Sequence, residues 1–212
     1  VKIVFFTFLV LLLSACGDDS TSNLTGAGQQ TSVCTNCRFF ATAAVYNGNL
    51  GGISGADQKC ASDVNNPKDG GTFKAVVVGT TRRACTSAYC TSSGINENLN
   101  WVMKANTTYS DLNGNSLFTT GASAIPEFPV FMNAQILSTD KIWTGLEMAD
   151  NDGFTSVGAW LTGETCDDWQ DENAPGGRYG ENMITQPGHD YWGFAFMTEA
   201  CTNTNSLYCV EQ

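Results

Sequence analysis

Basic residues are scarce: 10 Lys and Arg stand against 21 Asp and Glu in 212 residues, a formal net charge of -11 at pH 7. A surface this short of cations repels phosphate backbones, which excludes nucleic acid as a partner. Histidine is nearly absent, His189 being the single one, so Ser-His-Asp, Cys-His and multi-histidine zinc chemistry have almost no material. Charged residues of both signs make up only 15% of the chain, so neutral polar groups and turns must build the surface, and long solvent-facing helices are not expected. Internal repeats are missing, and the length suits one domain with a tail.

No apolar run is long enough to span a bilayer of ~30 Å hydrocarbon. The longest follows Lys2, from Ile3 to Leu13, and closes on Ser14-Ala15-Cys16. A cation, an apolar core and small residues before a cleavage point form an export signal over residues 1–15. Leu13-Ser14-Ala15-Cys16 resembles the lipobox of bacterial lipoproteins. That resemblance implies diacylglycerol on the Cys16 thiol, with Cys16 as the mature N-terminus. Several acyl chains at ~0.8 kcal/mol per buried methylene suffice for stable attachment. Residues 16–32 are rich in Gly, Ser, Thr, Asn and Gln, and read as a flexible tether after the lipidated cysteine. Residues 33–212 are the expected globular domain. The expected address is an exported, lipid-anchored protein of a bacterial membrane, the outer membrane and cell surface in particular.

Cysteine is plentiful, nine in all, or eight once Cys16 is set aside. An exported chain oxidises such thiols into as many as four disulfides, with 105 possible pairings. Cys34 and Cys37, and Cys85 and Cys90, are close enough to close local loops. Cys34-Thr35-Asn36-Cys37 also has the spacing of a redox motif, but no helix N-terminus follows it to lower a thiol pKa. Ser54 and Asp57 have capping-box spacing, and the helix they open is expected to run to about Val64 with Ala56, Cys60, Ala61 and Val64 on one face. Strands are expected at 38–42, 72–79, 141–146 and 206–210, with turn-rich chain from 94 to 129. One early helix and many short strands describe an α+β domain.

Several segments together are familiar. Gly55-Ala56-Asp57 on a helix carrying Cys60, followed by Gly71-Thr72-Phe73, is similar to the start of collagen endostatin domains. Ile142-Trp143-Thr144-Gly145-Leu146, Thr165-Cys166 and the final Cys209-Val210-Glu211 resemble C-type-lectin-like domains. The stretch from Arg38 onward resembles a family of leptospiral surface lipoproteins that carry a domain of unknown function. The resemblance implies a C-type-lectin-like, endostatin-like fold, stapled by Cys60–Cys209 and, nested inside it, Cys166–Cys201. Cys34–Cys37 and Cys85–Cys90 are then the remaining pairs. The calcium-and-sugar motif of such lectins is not kept: Gln186-Pro187-Gly188 lacks its third ligand, and no Trp-Asn-Asp follows.

Between Glu147 and Glu172 lie eight acids and no Lys or Arg. Asp150, Asp152, Asp167 and Asp168 are candidate calcium ligands, with solvated loop acids as the alternative. Trp160, Trp169, Tyr179 and Trp192 are candidates for a ligand surface, because flat rings beside carboxylates and amides suit a sugar or a peptide, with core packing as the alternative, the stronger one for Trp169 and Trp192; Trp143 is assigned to the core. His189-Asp190 has the makings of an acid-base pair or of a loop hydrogen bond. The expected function is a surface binding module, an adhesin for a glycan or extracellular matrix protein, and not an enzyme. A carboxylate-dependent glycan hydrolase and a structural envelope protein are the alternatives.

The anchor has a direct consequence. Cys16→Ala is expected to move the protein from the detergent phase to the aqueous phase in phase partitioning, and retention in detergent would refute lipidation at Cys16.

Overall fold

The computed structural model describes residues 34, 36–126, 141–148, 158–181, 194 and 197–212. The chain divides into two units, 1–31 and 32–212, and all the described residues belong to the second. The export signal, Cys16 and the tether expected up to residue 32 lie outside the described residues. The fold is mixed α/β, with few helices, many short strands and several disulfides.

Its frame is an eight-stranded sheet. Along the main path the order is β4 (Ser116–Thr119), β3 (Thr108–Ser110), β1 (Asn36–Ala41), β10 (Ser206–Glu211), β5 (Lys141–Trp143), β8 (Gly177–Glu181) and β9 (Met197–Glu199); β2 (Phe73–Ala75) also pairs with β10. β6 (Leu146–Met148) and β7 (Gly158–Thr162) form a separate antiparallel pair. β10 runs antiparallel to β1, with Phe40 opposite Cys209, and parallel to β5, with Ser206 opposite Ile142.

Successive side chains of a strand point to opposite faces, and here both faces are covered. Phe39, Tyr208 and Val210 enter one core with Tyr109, Phe118, Trp160 and Phe194. Phe40, Leu207 and Cys209 enter the other with Ala56, Cys60, Phe73, Trp143 and Trp169. This is why the terminal segment Leu207-Tyr208-Cys209-Val210 is apolar without alternation. In the first core Phe39 meets Phe118 edge-on at 5.4 Å, and Tyr109 stacks on Phe118 at 5.1 Å.

α1 (Gly52–Ser62) lies on the second core through Ala56 and Cys60. Its ends differ from the sequence expectation. Gly51 is the N-cap in the left-handed region at φ 81°, and no side chain caps the helix. The capping box does not form because Asp57 is drawn to the sheet side, where it accepts from Ala75 N at 2.9 Å and from Arg82. At the other end Asp63 is the C-cap and accepts from Ala43 N and Asn65 N, so the helix stops before Val64, which is 82% exposed. The strand expected at 72–79 is shortened to β2. Beyond it Val76 N donates to Tyr208 O and Val78 N to Thr144 O, and the segment switches partners rather than extending a ladder. The turn-rich stretch contains the unforeseen β3–β4 hairpin, whose turn is held by Asp111 accepting from Asn113 N and Asn115 N.

Four disulfides are present: Cys34–Cys37, Cys60–Cys209, Cys85–Cys90 and Cys166–Cys201. These are the pairs that the resemblance implies. With sequence separations of 149 and 35, Cys60–Cys209 and Cys166–Cys201 are worth ~5 and ~4 kcal/mol on the chain-entropy model, against ~2 for each local pair.

Glu97 is 4% exposed, yet its carboxylate is fully used. It accepts from Thr86 N and Oγ1, from Ser87 N and Oγ, and from Ser93 N. Burial pushes its pKa up, but the hydrogen bonds from Ser87, Ser93 and Thr86 together outweigh it and lower the pKa from 4.5 to about 2. A carboxylate lowered on folding stabilises the native state above its unfolded pKa, and that contribution is lost as pH falls from about 4.5 to about 2. Glu97→Gln should therefore destabilise the protein at neutral pH and flatten the decline of the urea midpoint below pH 4.5, relative to wild type. Parallel pH profiles of the two proteins would show that Glu97 does not set this dependence.

Candidate functional site

Where the helix begins, no side chain caps it, and Gly51, Gly52, Ile53 and Ser54 line a groove of about 560 Å3. This first turn and Asp57 line it together with Lys74 from β2, Thr81 and Arg82 from the following loop, and Asn100 and Trp101; Asp168 and Gln170 complete the lining.

Arg82 anchors the floor. It is 4% exposed, and its guanidinium grips Asp57 with two bonds, Nη1 to Oδ1 at 2.9 Å and Nη2 to Oδ2 at 2.7 Å, while Nη1 also donates to Ala75 O at 2.9 Å. One ion pair thereby ties helix, strand and loop together. Trp101 is half-buried and held by Nε1 donating to Ala124 O at 2.9 Å. Asn100 donates to Thr81 O at 3.0 Å, which fixes the adjoining rim. The Lys74 side chain makes no hydrogen bond or ion pair among the described residues, while its backbone pairs with Val210 of β10.

The closing end is a turn of unusual hand. α2 (Cys166–Trp169) has φ of 52°, 53°, 55° and 65° at its four residues, none of them glycine. Each residue in this region costs on the order of 1–2 kcal/mol, so the surroundings must hold it there. Cys166 is bonded to Cys201, and Trp169 is fully buried with Nε1 donating to Val78 O at 2.7 Å. Asp168 accepts from Thr80 N at 2.8 Å and from Thr80 Oγ1 at 2.7 Å. A Cβ on Gly79 would collide with Asp168 Oδ1, so this approach requires glycine there.

The residues singled out in the sequence do not gather into one surface. Trp160 is 2% exposed, Trp169 0% and Tyr179 5%, so the expected ligand surface is corrected for these three: their rings are core. Two cores on one sheet need large fillers, and Trp160 packs against Phe194 at 5.1 Å, Trp169 against Trp143 at 5.8 Å. Trp192, with Tyr191, His189 and Asp190, lies outside the described residues, as do Asp150 and Asp152. Of the remaining calcium candidates, Asp168 is taken by Thr80, while Asp167 is exposed beside a second hollow of about 540 Å3 that also meets Glu164 and Asp171. Glu164 pairs with Arg178 at 2.7 Å and accepts from Thr198 Oγ1, which lowers its pKa. Asp171 accepts from Asn173 N at 2.8 Å. No group of three His, Cys, Asp or Glu side chains among the described residues is arranged to hold a metal ion. Arg82 and Trp101 were missed as site residues. The one local signal was the pairing of Asn100 with Trp101 in a turn-rich stretch, an aromatic beside an amide.

A family model described as a protein of unknown function, DUF1554, matches residues 43–185. The chain belongs to this DUF1554 family. The matched stretch covers about two thirds of the chain and contains every residue that lines the groove. It begins after β1 and ends before β9 and β10, so this DUF1554 protein completes its sheet with strands outside the matched residues. Among curated proteins the chain has no match.

The ion pair makes a measurable demand. Arg82→Met leaves the partly exposed Asp57 carboxylate with the Ala75 amide but without its cation, and losing these charge-assisted bonds is expected to cost about 1–3 kcal/mol. Denaturant unfolding checks this, and a loss under 1 kcal/mol would show that water replaces the guanidinium freely.

Proposed function

We propose that residues 33–212 form a binding module of lectin-like fold, displayed at a bacterial cell surface on a lipidated Cys16, that takes a neutral polar ligand of the glycan class in the groove at the start of α1. The observation that carries this reading is the groove's composition. A half-buried indole, two amide side chains, hydroxyls and the first turn of α1 line it, and its two carboxylates are balanced by two cations. Ligand sites combine a concave shape of roughly 300–1,000 Å3 with a few fixed polar groups, and a ring face beside amides and hydroxyls suits a sugar's mixed surface. The balance of charge disfavours both strongly anionic and strongly cationic ligands.

The module reading is preferred to a hydrolase because both groove acids already have structural partners. Asp57 is held by Arg82 and Asp168 by Thr80, and hydrolysis across a cleft needs one acid kept protonated and one left free. For the same reason binding is expected not to depend on calcium, since neither carboxylate offers a free pair of oxygens.

Arrays of glycans and extracellular matrix proteins, probed with the full chain in millimolar calcium and in chelator, test the proposal. A glycan response is expected in both. Ser54→Tyr, which adds a ring at an exposed position of the first turn, should reduce it more than tenfold, and Gln170→Ala several-fold, with the melting temperature little changed. A glycan response that ignores both substitutions would remove the groove from the function. A response confined to matrix proteins would overturn the ligand class.

A further inference from the structure

Cys34 and Cys37 differ sharply in their surroundings. Cys37 is fully buried on β1, opposite Tyr109 of β3, while Cys34 is half-buried at the edge of the same core. Lys104 Nζ lies 3.6 Å from Cys34 Sγ, brought there from 70 residues away in sequence. The other local pair has no such asymmetry: Cys85 and Cys90 are each 2% exposed, and the neighbours of the Cys90 sulfur are the Ala84 carbonyl and the Asn98 amide. Cys34–Cys37 also closes the shortest of the four disulfide loops, with a separation of 3, so the fold depends on it least.

We propose that Cys34–Cys37 is a thiol–disulfide exchange site that oxidises an exported partner dithiol, with Cys34 as the attacked sulfur and Lys104 as the group that stabilises its thiolate. A partner thiolate attacks Cys34 Sγ, forming a mixed disulfide. The Cys34–Cys37 bond breaks, and its electron pair leaves on Cys37 Sγ, which takes up a proton. The partner's second thiolate then attacks the partner sulfur of the mixed disulfide and releases Cys34 as a thiolate beside the Lys104 ammonium. The partner dithiol loses two electrons and two protons to become a disulfide; Cys34 and Cys37 gain both electrons, Cys37 takes one proton, and the other passes to solvent, leaving Cys34 as the thiolate. A cation beside the released thiolate favours the reduced form, which makes the disulfide the better oxidant.

The groups that face Lys104 agree with this role. Burial pushes its pKa down, and the charge of Glu211 pushes it back. The Glu211 carboxylate itself is bound to Arg38 through Nε at 2.9 Å, so it is not free to pair with the ammonium. The Tyr109 hydroxyl is taken by the Lys104 backbone amide at 2.8 Å. Near Cys34 Sγ, the Glu211 carbonyl oxygen at 3.8 Å is the group among the described residues that opposes a thiolate. The ammonium is thus partly desolvated and short of an anion until Cys34 is reduced. The spacing Cys-Thr-Asn-Cys lacked a helix N-terminus to activate it; the lysine supplies the positive charge instead.

The test equilibrates the full chain in graded reduced and oxidised glutathione, then alkylates free thiols and maps them by mass spectrometry. Cys34–Cys37 is expected to open while the other three disulfides stay closed. Opening together with or after Cys85–Cys90 would overturn the proposal. Lys104→Gln should make Cys34–Cys37 about tenfold harder to reduce, about 30 mV for this two-electron couple, and Lys104→Arg should restore it. An unchanged equilibrium in a folded Lys104→Gln protein would overturn it equally. Should that variant fail to fold, the wild-type chain decides: in the reduced protein, Cys34 must react with iodoacetamide with a midpoint below the ~8.5 of a free cysteine, and a midpoint at or above that value removes the site.

Discussion

Everything in this fold converges on β10. The strand hydrogen-bonds to β1, β2 and β5, and its Cys209 is opposite both Phe40 and Ala75 while also bonded to Cys60 of α1. A strand with this many partners has no edge and no solvent face, so its side chains must be apolar on both sides. Its contacts with β1 and β2 are of long sequence separation. Such topologies close slowly, because loop entropy is lost before the contacts repay it. The Cys60–Cys209 bond offsets that cost in the folded protein by removing the widest loop from the unfolded ensemble.

With the sheet buried on both sides, the polar work moves to the connections. Val76, Val77 and Val78 cross from β10 towards Thr144, and the chain then turns at Gly79 so that Arg82 reaches back under α1 to Asp57. The same turn presents Thr80 to Asp168, and this bond, with the Cys166–Cys201 disulfide, holds α2 in its left-handed conformation. The groove is what lies between these two restraints. Its lining is therefore held by these two side-chain pairs, which keeps the first turn of α1 in fixed relation to the loop around Thr81.

Local features were legible in the sequence and distant ones were not. The terminal strand and the helix around Ala56 and Cys60 could be read because apolar runs and helical spacing are properties of neighbouring residues. The capping box was misread because Asp57 has two uses, and the competitor that wins, Arg82, is 25 residues away. Trp160 and Tyr179 lie among Gly-rich stretches that look like exposed loop, yet the two cores draw both rings inward; nothing in the local pattern announces that a short-stranded sheet will be covered on both faces. Glu97 is in the same position: its five donors come from three residues that only a folded loop gathers. Of the candidate ligand surface, no ring that the structure describes is exposed. The groove that replaces it is built from pairs that no sequence window spans.

The scarcity of cations gives this arrangement its economy. Of 10 Lys and Arg, Arg38, Arg82, Arg178 and Lys141 are held in ion pairs. Arg83 donates to the Glu97 carbonyl, Lys68 to the Ala61 carbonyl, and Lys59 sits over the Tyr46 ring. Lys2 lies outside the described residues. Two remain that the fold does not use in this way: Lys74, which faces the groove without a partner, and Lys104, whose ammonium meets the Cys34 sulfur. In a chain with twice as many acids as bases, an unpaired surface cation readily finds a carboxylate. That these two do not reflects the packing around them, since the groove's acids are already bound to Arg82 and Thr80, and Glu211 is bound to Arg38. The ion pairs that stabilise the fold are thus also what leaves positive charge available at the two places where chemistry with another molecule is proposed.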